Sequence, residues 1–305
     1  MPADTPFVVV PTGPRFTPLR FGLLAAAQIV DDPDPHWRNG TKFQPDACDE
    51  TKSTAAFCVA GGPATGTPAK FPTSTGAPMS AAEPFTVYAF TDCAPVGWGD
   101  QLEDLRARAE RQLDSGEGRA VERVFWTGAV SPSGGPAVHP HLAADTEVLA
   151  TADGPVTVEL QSAAVEIGST AVSPKLAISA LEGALGDCYG GEGVIHVPRR
   201  ALPLLEDVVH EKGTQLRTMG GNIIAAYSAD AGTAPDGAPP ASGGGSWFYA
   251  TGAVVARRSP ILPTGRRPAE FVGRTDNSTV YVVERTYVID WDCCHFAIEV
   301  TGLGP

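Results

Sequence analysis

The stretch Gln112 to Gly128, QLDSGEGRAVERVFWTG, decides how the rest of the chain is read. It is charged along most of its length, closes on the aromatic pair Phe125-Trp126 and stops at a glycine. Followed backwards, it places Leu102, Leu105, Ala109, Leu113, Gly116, Ala120 and Val124 at steps of three or four, which puts them on one helical face, with Arg and Glu filling the other. Asp100 suits the N-cap, where a side-chain oxygen satisfies an orphan N–H, and Gly128 suits the C-terminal stop. If continuous from that cap to that stop, the helix would span about 40 Å at 1.5 Å per residue. Gly116 and Gly118 are its weak points, each costing up to about 1 kcal/mol.

Composition bounds what such a strut can serve. The chain has 305 residues, 43% of them hydrophobic, enough for a substantial core in one or two domains. Its formal charge of -13, from 35 acidic against 22 basic residues, opposes tight binding of nucleic acid, which needs clustered Lys and Arg. With 34 Gly and 28 Pro it should be rich in loops. The opening MPADTPFVVVPTGPRF lacks a basic start followed by a long apolar run, and no apolar run reaches the roughly 18 residues of a membrane span. These features predict a soluble protein made in a reducing cytoplasm. The six cysteines show no CxxC spacing, so most are expected as free thiols.

Working outward from the long helix, residues 19–30 read as a short Ala-rich helix within an arm, 1–35. From 36 to about 84 the chain is dominated by Gly, Pro, Ser and Thr, yet it carries Trp37, Phe43, Phe57 and Phe71. Four large aromatics in a linker must be buried against something, and another subunit is the reading. Residues 85–92 alternate as a strand. On the other side, valine-rich strands fall in 146–166. Ser173-Pro174 then opens a helix with Leu176, Ala180, Leu181 and Ala184 on its apolar side. A strand at 193–197, a helix from Pro203 to Gly213 and a strand at 222–228 complete a compact α/β unit. The low-complexity run 232–245 reads as an exposed mobile loop, 247–257 as a strand, and 279–300 as a closing pair of strands.

No catalytic motif accompanies this frame. His139 and His141, with Asp145 nearby, suggest metal ligation, since imidazole and carboxylate suit zinc, but no third ligand is specified and a solvated loop is the stronger reading. In Cys293-Cys294-His295, strand alternation sends the adjacent cysteines to opposite faces, so they read as core residues. A Cys48–Cys58 pairing or a cross-subunit bridge from Cys93 stays open. Glu284 and Arg285 face opposite ways on the last sheet, so each needs its own partner, from a neighbouring subunit or from water. There is no P-loop, no strand-borne GxGxxG and no G-x-S-x-G, and no cofactor is expected.

The order of parts resembles the major capsid proteins of tailed bacteriophages, the Hong Kong 97 fold, which encapsulin shells share. "EGRAVERVFWTG" looks like the end of a spine helix. "SPKLAISALEGAL", "GVIHVPRRALPLLEDV" and "TMGGNIIAAYSAD" look like the successive elements of an axial domain. "SWFYATGAVVARRSPI" and "STVYVVERTYVIDWDCCHFAIEV" resemble the strands that return from it. The resemblance implies an α+β chain: an N-terminal arm (1–35), an extended loop (36–95), a peripheral domain (96–171) with spine helix 97–127, an axial domain (172–258) with mobile loop 232–245, and return strands of the peripheral domain (259–305). It implies a structural subunit, not an enzyme. Such a subunit forms hexamers and pentamers of itself and closes an icosahedral shell around double-stranded DNA that its acidic wall contacts weakly. Its further partners would be scaffolding, portal and decoration proteins, with assembly in the host cytoplasm and no membrane. Subunit-interface candidates are Trp37, Phe43, Phe57, Phe71, Leu102, Leu105, Leu113, Glu284 and Arg285. The rivals are an encapsulin-like compartment and a metal-dependent enzyme using His139, His141 and Asp145.

Overall fold

Two β-sheets share one ribbon of chain, and a long helix runs to their junction. The computed structural model describes residues 16–32, 34–43, 80–93, 101–131, 137–144, 148–149, 158–159, 164–228, 231–239, 245–263, 272–273 and 278–303. In chain order the elements begin with a helical turn α1 (Leu23–Ala26), β1 (Gln28–Asp31), a 3-10 turn (Pro35–Asn39), β2 (Thr41–Phe43), β3 (Ser80–Ala82), β4 (Pro84–Cys93) and α2 (Gln101–Thr127). Short strands β5 (Val148–Leu149), β6 (Val158–Glu159) and β7 (Val165–Glu166) precede α3 (Pro174–Cys188), β8 (Val194–Pro198) and a second 3-10 turn (Arg199–Leu204). Then come β9 (Val209–Lys212), β10 (Gln215–Thr218), β11 (Ile223–Tyr227), β12 (Ser246–Thr251) and β13 (Val254–Arg258). The chain closes through β14 (Leu262–Pro263), β15 (Val272–Gly273), β16 (Ser278–Trp291) and β17 (His295–Val300).

The first sheet is built on β16, the longest strand. It pairs antiparallel with β4 along one edge and with β13 on the other, where β1 adds in parallel. The second sheet runs β7-β17-β12-β8-β11-β10-β9. The sheets are joined twice by continuous chain, β12 into β13 through Gly252-Ala253, and β16 into β17 through Asp292 to Cys294. The two crossovers hold each other: the Gly252 N–H donates to the Cys293 carbonyl at 2.9 Å and the Asp292 N–H to the Ala253 carbonyl at 2.9 Å. A bent two-stranded ribbon thus runs through both sheets. Of the closing strands, β16 belongs to the sheet of β4, while β17 joins the sheet of β8 and β12.

α2 packs on β4 and β16. Its buried stripe is Leu105, Ala109, Leu113, Val121 and Phe125, a strict step of four with Glu117 in the middle place. Each large apolar side chain so buried contributes about 1.5–3 kcal/mol against exposure. The sequence reading put Gly116 and Ala120 on this face; Ala120 does pack, partly buried, against the core, while Gly116 and Gly118 meet open space. The helix is continuous through both of them.

Elsewhere local chemistry overrides periodicity. The expected helix at 19–30 shrinks to one turn. Phe21 takes a left-handed φ of 65°, and the β-branched pair Ile29-Val30 extends into β1 against β13. The expected helix from Pro203 becomes the 3-10 turn and the hairpin β9–β10. Proline inside a helix removes a donor, Val208-Val209 favours a strand, and Gly213 at φ 63° makes the turn. On α3 the buried side is Ala177, Ile178, Leu181 and Leu185, and Leu176 is 62% exposed. The first half of the low-complexity run is pinned: Thr233, Ala234 and Pro235 are buried, and the Tyr249 hydroxyl donates to the Thr233 carbonyl at 2.8 Å. Residues 240–244 lie outside the described residues. Among the described residues no helix is long and apolar enough to cross a membrane.

Candidate functional site

The last turn of α2, Val124-Phe125-Trp126, enters the space between the two sheets. Phe125 meets Trp291 of β16 edge-on at 5.4 Å and Tyr227 of β11 in a stacked pair at 6.4 Å. Trp126 sets its ring edge-to-face against Tyr227 at 5.0 Å and Tyr249 at 5.3 Å, geometries that suit aromatic quadrupoles. The helix end is satisfied by a following segment: the N–H groups of Leu142 and Ala143 donate to the Phe125 and Trp126 carbonyls, each at 2.9 Å. Gly128 is required here on two counts. Its φ is +72°, and a Cβ would lie 2.8 Å from the Ala137 side chain.

Midway along α2, Glu117 is buried and held from β16. One Arg285 nitrogen reaches both its carboxylate oxygens, at 2.8 and 2.9 Å, and the Tyr287 hydroxyl donates to it at 2.6 Å. Burial and the neighbouring Glu117 charge push the Tyr287 phenol well up. One turn on, Glu122 accepts the Ser228 N–H at 3.0 Å at the end of β11. Burial raises its carboxyl above the usual range, against those backbone donors and Arg199. Gly22 lies over this carboxylate so closely that a Cβ would sit 2.4 Å from an Oε1. The two acids tie α2 to one sheet each.

In the second sheet His196 is fully buried between the Tyr227 hydroxyl at 2.7 Å and the Thr251 Oγ1 at 2.9 Å. Thr251 donates its own proton to the Gly252 carbonyl at 2.9 Å, so it accepts from His196 Nε2–H, and Nδ1 accepts from Tyr227. The network is complete with a neutral ring. Burial first, then the nearby His295, hold His196 well below its ordinary pKa of 6.5. The unfolded chain therefore takes up a proton in a range where the folded chain does not. Stability present above pH 6.5 is expected to fall as pH drops below it, by about 1.4 kcal/mol per pH unit, the proton linkage of one site. Glu122 acts oppositely, its contribution fading as pH rises above 4.5. Melting curves from pH 8 to 5 check this; His196→Gln should flatten the upper part of the profile.

The structure relocates most of the residues singled out from sequence. Trp37 is buried within its own chain, against Ala82 and Val288, with its Nε1 donating to the Asp32 carbonyl at 3.1 Å. Leu105 and Leu113 lie in the core under α2, and Arg285 finds Glu117 in the same chain. Trp37, Leu105 and Leu113 are thus buried within their own chain, and Arg285 keeps 15% of its side-chain surface exposed. Phe43 and Glu284 are half-buried. The side chain of Leu102 is not among those described, and Phe57, Phe71 and Asp145 lie outside the described residues. His139 and His141 do come together, rings 5.0 Å apart, but His141 Nδ1 is engaged with the Val138 carbonyl at 2.9 Å. Among the described residues no three His, Cys, Asp or Glu side chains cluster to hold a metal ion.

The cysteine expectation is overturned. Cys188, at the end of α3, is disulfide-bonded to Cys294, and Cys293 is disulfide-bonded as well. The strand argument failed because Cys293 and Cys294 sit in the crossover between β16 and β17, where Cys294 takes a φ of 65° and strand alternation no longer applies.

Sequence reasoning missed Glu117, although the step of four running 105, 109, 113, 121, 125 passes through it.

No protein-family model matches the chain, and no curated protein does. Solved structures match it over almost its whole length. One is the capsid of an empty GTA particle, with a TM-score of 0.55, 12% identity, and 97% of this chain and 95% of that one covered. The capsid of a native GTA particle follows at TM-score 0.53, 9% identity, and 99% and 97% coverage. The fold is the mixed α+β Hong Kong 97 type.

Proposed function

We propose that the chain is a self-assembling shell subunit, the major capsid protein of an icosahedral particle enclosing double-stranded DNA. The observation that carries this is the fold shared with a particle's capsid over 97% of the chain. In this reading α2 is the spine helix, α3 with the second sheet is the axial domain, and 36–95 is the extended loop, whose last strand β4 stays on β16 of its own chain. The net charge of -13 suits a wall that does not grip its genome.

Negative-stain electron microscopy of the purified full-length chain, sized beforehand by gel filtration, tests it. Closed shells, or hexamer and pentamer rings, are expected. A monomer that stays monomeric with concentration and salt overturns the proposal, and shells filled with protein in place of DNA mean the encapsulin-like alternative.

The outer face of β4 supplies a second, finer check. Tyr88 and Phe90 point away from α2 and are 64% and 56% exposed, side by side with Glu284 and Val282 of β16. Two adjacent exposed aromatics fit a surface that assembly covers. Tyr88→Ser with Phe90→Ser is expected to leave the melting temperature of the monomer within a few degrees while lowering the yield of shells at least about tenfold, a loss of roughly 1.4 kcal/mol per contact. Unchanged shell yield removes this face from the interface.

A further inference from the structure

Both crossovers between the sheets, and the end of α3, meet at one point. Cys188 closes α3 and Tyr189 caps it; the Tyr189 hydroxyl donates to Asp292 at 3.2 Å. Gly252, in the other crossover, fits so tightly that a Cβ would lie 2.6 Å from the Cys293 carbonyl and 3.0 Å from the Tyr189 ring. The Cys188–Cys294 bond links segments 106 residues apart at this point, and both cysteines are partly exposed, neither being fully buried. The bond ties the end of α3 to the second crossover, and the two crossovers are joined to each other by the Gly252 and Asp292 hydrogen bonds, which can open and reclose.

We propose that Cys188 and Cys294 form a thiol–disulfide exchange site that takes a small-molecule disulfide such as glutathione disulfide and, once oxidised, locks the joint between the two sheets. One cysteine thiolate attacks a sulfur of glutathione disulfide and expels a glutathione thiolate, leaving a mixed disulfide. The second thiolate attacks the protein sulfur of that bond and expels the second glutathione. The two protons lost by the cysteines are taken up by the two glutathiones; the cysteines are oxidised and one glutathione disulfide is reduced to two thiols. The state of the lock then follows the thiol–disulfide poise of the surroundings. Open, it leaves the crossovers to their hydrogen bonds; closed, it pins α3 and the turn at Cys294 together.

Hydrogen exchange at the amides of Gly252 and Asp292, the two that cross-link the ribbon, reads the lock directly. The full-length chain is compared with Cys188→Ser/Cys294→Ser, which leaves the bond of Cys293 in place. Exchange at these two amides is expected to quicken about tenfold or more in the double variant, with the central amides of β8 and β11 unchanged. Equal exchange at Gly252 and Asp292 in both proteins overturns the lock, as does loss of protection throughout the second sheet, which would make the bond a general requirement of folding. Should the variant not fold, the wild-type chain decides alone. Reduced and then exposed to glutathione disulfide, it is expected to lose iodoacetamide labelling at Cys188 and Cys294 and to regain protection at Gly252 and Asp292. Persistent labelling at either cysteine overturns the proposal.

Discussion

Arg285→Ala is expected to destabilise the chain by about 3–5 kcal/mol, the cost of leaving a buried carboxylate without its partner. Glu117 and Arg285 keep only 9% and 15% of their side-chain surface exposed, so water cannot substitute. The remaining ligand of Glu117, the Tyr287 hydroxyl, is neutral and satisfies one oxygen only. Removing the charge at both ends should behave differently. Glu117→Gln with Arg285→Met keeps volume and leaves no bare charge, and is expected to recover most of the loss. Urea denaturation of wild type, the single variant and the double variant measures the cycle. A single-variant cost below about 1 kcal/mol would mean that the pair is no more than a surface bridge.

Trp126→Ala should cost a similar amount, about 3–5 kcal/mol, because it empties the contact between α2, β11 and β12. The ring is fully buried and meets Tyr227 and Tyr249 edge-on, so transfer energy, cavity and aromatic geometry are lost together. Trp126→Phe separates these contributions. The indole Nε1 has no hydrogen-bond partner among the described residues, so replacing it with carbon removes an unsatisfied donor while the aromatic contacts persist. A cost under about 1.5 kcal/mol is expected for this variant, against the full loss for alanine. Thermal melts of the two variants side by side decide it, and equal losses would show that the joint needs the full volume of the indole and not only an aromatic ring.

These two side chains mark how far the sequence could be read. The steps of three and four through Leu102, Leu105, Ala109 and Leu113 are enough to predict α2, because an amphipathic stripe is a property of the local chain. The glycine after Phe125-Trp126 likewise marks its end, and the structure stops the helix at Thr127. The order of elements was sufficient to suggest the Hong Kong 97 type of fold that the solved capsids share.

What the sequence could not supply was partners distant along the chain. Glu117 reads as one more surface acid until β16, 168 residues away, brings Arg285 to it. Trp37 reads as an aromatic in search of another subunit until Val288 covers it. Cys188 and Cys294 read as unrelated thiols until two crossovers meet at the end of α3. Periodicity and propensity are set by neighbours within a few residues, so the sequence by itself determined the long helix, its stop and the run of strands. Pairing across 100 residues or more depends on which sheet each strand joins, and only the tertiary structure decided that β17 would leave β16's sheet and close the other.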